Sequence, residues 1–329
     1  MELKGSMPGH FSILLSGTRK EIDRQLWALW RWKFGVPTIY FLDICSIGHI
    51  KEFLAKGKCK DEKHEKSIRQ LRAIDLPQNG VSCMPALLEK ASDRKSKFTP
   101  DGFVEEISRD LRAMSKFFSS ASIVEPVAFA ETHARELFGL DTEESVPEYL
   151  DFLTFANGLA LHNRTTRKRQ FKVAKALCER AAEIGVSTSH PVVITVIASV
   201  YGCEAAQEVL KFAGNEKNFN PGNALGDIQI VSRVAGELAE YVRAFAGKGG
   251  RYLDWAFMTG DSPLSDLLTY MMRKPVEVGG SIQDGERSFR ITTDAVSLFP
   301  DLFGPDREPL DEDCSKELDD LLGLLGAIY

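Results

Sequence analysis

The sequence lacks the marks of exported, membrane-spanning and zinc-held proteins. Its six cysteines, Cys45, Cys59, Cys83, Cys178, Cys203 and Cys314, form no C-x-x-C pair, and no Cys/His cluster has zinc spacing. Neither a disulfide framework nor a structural zinc site is expected, and reduced thiols are the default. No run of about 18 apolar residues occurs, which argues against a transmembrane helix. Near the N-terminus only four apolar residues lie between Phe11 and Leu15, interrupted by Ser12, too few for the core of a signal peptide. The expectation is a soluble, cytoplasmic protein. A G-x-x-x-x-G-K-[ST] loop is missing, which argues against an NTPase. No Ser/His/Asp or Cys/His arrangement has supporting spacing, so nucleophilic catalysis is not expected. Internal repeats and low-complexity linkers are also absent.

What is present is ordinary in bulk. The 329 residues, 43 % of them hydrophobic, suffice for one large α/β domain or two smaller ones. A formal net charge of −6 argues against a protein that coats nucleic acid through bulk charge, but binding follows the local patch that faces the phosphates.

Residues Glu21 to Phe34 place Leu26, Leu29, Trp30 and Phe34 on one helical face, with Trp27 and Trp32 as a packed or platform element. After Gly35 and Pro37, Thr38 to Leu42 form a β-branched and aromatic run that ends at Asp43. Such a run between breakers predicts a buried strand of a parallel sheet. Ile47 to Ala55 predicts a helix, and the Lys/Glu-rich Lys56 to Arg72 a solvated helix or loop. Val81 to Met84 is a candidate strand, with Pro85 opening a helix. Asp101 to Phe118 is an amphipathic helix started by Thr99-Pro100-Asp101. A further helix contains Glu131 and ends near Gly139. Val146 to Gly185 reads as helical throughout, and Pro191 opens an apolar helix rather than a strand. Pro221 starts a long helix to about Phe245, with Asp227 in its early turns and Gly247, Gly249 and Gly250 ending it. Tyr252 to Met258 is a strand, followed by Thr259-Gly260-Asp261 and a helix from Pro263. Val276 to Ile291 predicts a hairpin turning at Asp284-Gly285. The acidic segment from Pro305 ends in a short helix, Leu318 to Leu325. Alternating strands and helices predict an α/β class with a parallel sheet.

Open α/β sheets bind ligands outside the carboxyl ends of their strands. Asp43 and Asp261 each follow a predicted strand, Asp227 lies early in a helix, and Glu131 follows the small-residue run Ala128-Phe129-Ala130. Clustered carboxylates repel one another and are costly to desolvate together. A hard divalent cation such as Mg²⁺ or Mn²⁺ removes that cost, takes oxygen ligands, and can activate water and neutralise a scissile phosphate.

Four pieces carry a resemblance to the PIN-domain nucleases. Phe41-Leu42-Asp43 resembles the family's first strand and first aspartate, and Val127-Ala128-Phe129-Ala130-Glu131 its glutamate-bearing helix. Asn223-Ala224-Leu225-Gly226-Asp227-Ile228 resembles the later helix with its second aspartate, and Phe257-Met258-Thr259-Gly260-Asp261 the strand end with a Thr-x-Asp pair. The pieces occur in the family's order. The resemblance implies a PIN-like, Rossmann-like parallel sheet flanked by helices, and a Mg²⁺ or Mn²⁺ site on Asp43, Glu131, Asp227 and Asp261. It also implies endonucleolytic cleavage, usually of RNA. On this frame residues 1–145 are the first part of the PIN-like domain with an N-terminal helix, 146–212 a helical insertion, 213–304 its second part and 305–329 an acidic tail. By the same analogy a homodimer, a regulatory or antitoxin partner, and a role as prokaryotic toxin or phage-defence effector are expected. The pattern departs at Cys45, where the family often has Asn, Ser or Thr, and in the long spacing from Glu131 to Asp227.

Each residue also has a plainer reading. Asp43 and Asp261 can cap the helices that follow them, and capping and ligation can coexist. Glu125 and Glu136 are alternatives to Glu131. Ser46 is a candidate phosphate contact, Thr259 orients a water or caps the strand end, and Asp266 is an auxiliary acid or solvated. Arg164, Arg167, Lys168 and Arg169 head the strongest basic run, which either grips an RNA backbone, aided by Lys211 or Arg233, or forms a solvated helix face. His133 and His190 read as structural. Two other functions stay open: a non-catalytic PIN-like binding or scaffold protein, and a metal-dependent phosphatase. A haloacid-dehalogenase-type enzyme would want an aspartate where Cys45 stands.

Overall fold

A computed structural model describes residues 2–7, 10–14, 35–92, 98–138, 146–245, 251–272, 277–279, 288–290 and 292–327. The expected helix Glu21 to Phe34, the turn Asp284-Gly285 and the glycines 247, 249 and 250 lie outside the described residues.

Two short strands, β1 (Glu2–Met7) and β2 (His10–Leu14), pair antiparallel. The centre of the fold is β3 (Thr38–Leu42), in which all five residues are buried. It is followed by α1 (Ile44–Lys56) and α2 (Glu62–Ala73), then β4 (Gly80–Ser82), α3 (Met84–Ser92), α4 (Pro100–Phe117), β5 (Ser122–Ile123) and α5 (Val127–Leu137). Four helices come next: α6 (Val146–Gly158), α7 (Arg167–Glu183), α8 (Pro191–Val200) and α9 (Glu204–Leu210). The long α10 (Pro221–Phe245) leads to β6 (Asp254–Met258) and α11 (Ser262–Met271). A hairpin of β7 (Glu277–Gly279) and β8 (Ser288–Arg290) precedes α12 (Ala295–Leu298) and α13 (Glu312–Leu324).

The principal sheet is parallel throughout, in the order β5-β4-β3-β6. Ile39 pairs with Gly80 on one side of β3 and with Trp255 on the other. From β3 the chain moves outward through β4 to β5, and then returns to lay β6 against the opposite edge of β3. The strand order therefore reverses between β3 and β6. The alternation of β3 divides the interior in two. Tyr40 and Leu42 face a core with Ile47 and Ile50 of α1, Ile68 and Leu71 of α2, Leu87 of α3 and Ile107 of α4. Ile39 and Phe41 face the other core, with Phe152 of α6, Leu177 of α7, Val196 of α8, Ile228 of α10 and Leu267 of α11. Burying each such side chain contributes about 1.5–3 kcal/mol. The helices between 146 and 212 thus pack with the central strand, and Cys314 and Leu321 of α13 join the same core.

Where residues depart from expectation, local chemistry explains it. The Lys/Glu-rich segment becomes helical only from Glu62, capped by Asp61, and buries His64, Ser67, Ile68 and Leu71 on one face. Helix 146–185 is interrupted after Gly158, with Ala160 in the left-handed region (φ 61°). The last helix begins at Glu312 rather than Leu318, because Asp311 caps it and accepts the Cys314 N–H. No single helix among the described residues is long and apolar enough to cross a membrane, and the apolar pair α8–α9 is bent by 117°. Asp110, fully buried on α4, is held by Lys51 of α1 and Lys90 of α3, and both lysines also meet Glu106.

Asn79 aligns the start of the sheet. Its Oδ1 accepts the Thr38 N–H at 3.3 Å and its Nδ2 donates to the Ile74 carbonyl at 3.0 Å, all out of solvent. Asn79→Leu keeps the volume, leaves the buried Thr38 N–H without its side-chain acceptor and removes one of the two hydrogen bonds on the Ile74 carbonyl, which keeps the Leu76 N–H. Unfolding in urea should show a loss of about 2 kcal/mol or more; a loss under about 0.5 kcal/mol would contradict this account.

Candidate active site at the reversal of strand order

The helices that follow β3 and β6 pack on opposite faces of the sheet, the arrangement at which open α/β sheets bind ligands beyond the carboxyl ends of their strands. Asp43 is the first residue past β3 and is only 5 % exposed. Its backbone N–H donates to the Met258 carbonyl at the end of β6, at 3.2 Å. Its side chain caps α1, with Oδ1 accepting the Ser46 N–H at 2.6 Å. Oδ2 accepts the Thr259 hydroxyl. The Thr259 Oγ1 in turn accepts the Asp261 N–H at 2.9 Å. Asp261 caps α11, accepting the Leu264 N–H at 3.3 Å. Ser46 is buried, and its hydroxyl donates to Met258 O at 2.9 Å, which braces α1 against the end of β6. Two acids therefore stand at two helix N-termini, whose positive ends favour negative charge, and one threonine joins them.

Asp227 approaches from the second turn of α10. Burial raises its carboxyl from 3.8 to about 6; the charges of Asp261 and Asp43 add to this, and Lys211 opposes it. Asp43, Asp227 and Asp261 thus share one electrostatic field. Cys45 lies in the same field. Its thiol is pushed up to about 11, by burial first and then by Asp43, Glu89, Asp261 and Asp227. At neutral pH it is a protonated, weakly nucleophilic group.

The remaining candidates are dispersed. Glu131 lies on α5, and its side chain is outside the described residues. Glu125 is buried past the end of β5, where it accepts the Ser82 hydroxyl at 2.6 Å and the Cys83 N–H at 2.8 Å, and burial raises its pKa. Glu136 is exposed and faces His133. In the basic run, Arg164 pairs with Asp301 and Arg167 with Glu317, both at 2.6 Å, while Lys168 and Arg169 are exposed. Arg233 is buried and donates to Gln229, His190 caps α8 and stacks on Tyr149, and Asp266 is half-buried on α11. The sequence reading passed over Glu89 and His49. Glu89 sits on the helix after β4, and His49 one helical turn beyond Cys45; only the placement of strand ends side by side marks them.

The donor set of Asp43, Asp227 and Asp261 is all oxygen, which suits Mg²⁺ or Mn²⁺. Among the described residues, no group of three His, Cys, Asp or Glu side chains is already assembled to hold a metal ion. A cation would have to draw the carboxylates together.

No protein-family model, no curated protein and no solved structure matches the chain. Its own sheet defines it as an α/β protein with a four-stranded parallel sheet, and Asp43 and Asp261 stand where the strand order reverses.

The raised Asp227 carboxyl makes a signed prediction. Its stabilising contribution as the neutral acid is complete below about pH 3.8 and is lost as pH rises through about 6. Above that, the ionised group weakens the fold. Asp227→Asn should be more stable than the parent at about pH 8, by about 1–2 kcal/mol after allowing for its partial exposure. At about pH 4 the two should melt together. A stability difference that does not change with pH would refute the shared field.

Proposed function

We propose that the protein is a metal-dependent PIN-like endonuclease acting on RNA. The observation that carries this reading is the Thr259 bridge, which joins Asp43 to Asp261 at the reversal of strand order, with Asp227 inside their field. The order of the four sequence pieces resembling PIN nucleases adds the substrate class. Asp43, Asp227 and Asp261 would hold Mg²⁺ or Mn²⁺. When bound, such a cation neutralises the carboxylates, offsets charge on the scissile phosphate and lowers the pKa of water. The protein's own residues do the rest. Thr259 holds the Asp43 carboxylate in place at the end of β3, the fixed point toward which Asp227 and Asp261 would close on a cation. Lys211 is exposed and close enough to act on Asp227, and it offers a cation to a phosphate entering the site. Lys168 and Arg169 are exposed for the backbone of a longer strand.

Single-stranded RNA with Mn²⁺ tests the reading. The parent protein should cleave internally, and Asp43→Asn should lose at least about 100-fold in kcat/KM. In thermal melts Mn²⁺ should raise the Tm of the parent but not of Asp43→Asn. Equal cleavage by both proteins, or none by either across several RNAs, would sink the nuclease assignment. Turnover of a generic phosphomonoester in place of RNA would assign a phosphatase. Asp43→Asn that binds Mn²⁺ as the parent does would remove Asp43 from the metal site.

A further inference from the structure

His49 stands beside the acidic loop, and nothing in the preceding account uses it. It lies on α1 one turn after Cys45. Its Cε1 would be 3.2 Å from a Cβ added to Gly260, and the Cys45 Cβ would be 4.0 Å from that same point. Gly260, between Thr259 and Asp261, thus leaves the room that the imidazole occupies. The ring is fixed from α2. Its Nδ1 is 2.8 Å from the Ser67 hydroxyl, and its backbone carbonyl is 2.9 Å from His64 Nε2. His64 is buried and accepts the Lys60 N–H on Nδ1, so its proton sits on Nε2 and donates to the His49 carbonyl.

The same accounting assigns the proton of His49. Ser67 is buried, and among the described residues the one hydrogen bond of its hydroxyl is to His49 Nδ1. A buried hydroxyl proton needs an acceptor. If Nδ1 is that acceptor, the imidazole proton is on Nε2. Among the described residues no hydrogen bond engages Nε2. The ring meets the Gly260 side through Cε1 and Nδ1, 3.2 and 3.8 Å from the added Cβ, and Nε2 lies on the far side of Cε1 from the nitrogen that Ser67 engages. We infer that His49 is a neutral, preoriented hydrogen-bond donor that grips a phosphoryl oxygen of the substrate through Nε2–H. A phosphate ester entering the site meets carboxylates on one side and requires donors on the other. A fixed neutral imidazole serves that purpose without a second titrating charge, as in enzymes that polarise an oxygen with neutral histidine. The neutral state is favoured by burial first and by the neighbouring His64, which together lower the pKa of His49 below 6.5 against the opposing pull of Asp43.

The phosphate-ester substrate rests on the nuclease reading, whereas the tautomer does not. Long-range ¹⁵N–¹H NMR of the full chain, with His49 assigned from the spectrum of His49→Gln, should place the proton on Nε2 at neutral pH. Its resonance should move when inorganic phosphate is added with Mg²⁺. A proton on Nδ1, or no response to phosphate, overturns the inference. In RNA cleavage, His49→Gln puts an amide N–H near the position of Nε2 and should stay within about threefold of the parent. His49→Asn, whose amide sits near Nδ1, and His49→Ala should fall at least about tenfold, a loss of one hydrogen bond. Equal activity in all three variants overturns the role of His49 while leaving the nuclease reading intact. If the parent cleaves no RNA, the nuclease reading falls, and the phosphate titration alone decides whether Nε2–H is a phosphate donor.

Discussion

The hydroxyl of Thr259 ties together two acidic residues that the chain places far apart in sequence, donating to the Asp43 carboxylate and accepting the backbone N–H of Asp261. This contact requires β3 and β6 to be neighbours, and they are neighbours only because the strand order reverses at β3. If β6 had been added beyond β5, the two acids would stand at opposite ends of the sheet. Adjacency also depends on register. Leu42 pairs with Met258, so the residues that follow, Asp43 and Thr259, leave the sheet at the same level. A slip of one residue would turn Thr259 to the other face.

The cost of gathering acids is offset by backbone. Asp43 and Asp261 each satisfy an N–H in the first turn of their own helix, so each carboxylate does local structural work as well as whatever chemistry it performs. Asp227 has no such arrangement at a helix start; it sits within α10, and burial raises its carboxyl to about 6. The contrast separates acids that the fold stabilises from one that it tolerates. Groups whose burial works against stability are concentrated at functional sites.

Much of the sheet was legible in the sequence. Thr38 to Leu42 announced itself because all five residues are buried on both faces of a central strand, which demands an unbroken apolar run. Asp43 and Asp261 were visible because each follows a strand run, and Asp227 because it interrupts an apolar helix face; each signal is weak alone, and their joint order carried the reading. The strand β4 was harder, because only Gly80, Val81 and Ser82 belong to it. The N-terminal hairpin gave no clear signal, since Lys4, Gly5 and Ser12 interrupt its alternation. Glu89 and His49 could not be found from periodicity. Glu89 acts on Cys45 and His49 lies against Gly260, contacts between separate elements, and periodicity reports only which side of an element is buried. The basic run is the opposite case. It was conspicuous in one dimension, yet Arg164 and Arg167 are engaged by Asp301 and Glu317 of the C-terminal region.

Cys45 bears on how the site is tuned. A thiol at this position could become a reactive thiolate beside a histidine one turn along the same helix. The surrounding acids prevent that, since each adds to the burial that pushes the thiol up to about 11. The same negative field pulls the other way on His49, where Asp43 resists the lowering caused by burial and His64. Thiol and imidazole are therefore both neutral at physiological pH, and no thiolate–imidazolium pair forms. What remains charged is the carboxylate set, together with Lys211 at its edge. A site whose neutral groups donate hydrogen bonds and whose charged groups are mainly acidic would take an anionic substrate only together with a cation. On the proposed nuclease reading, this is the physical reason why a phosphate would need a divalent metal at this end of the sheet.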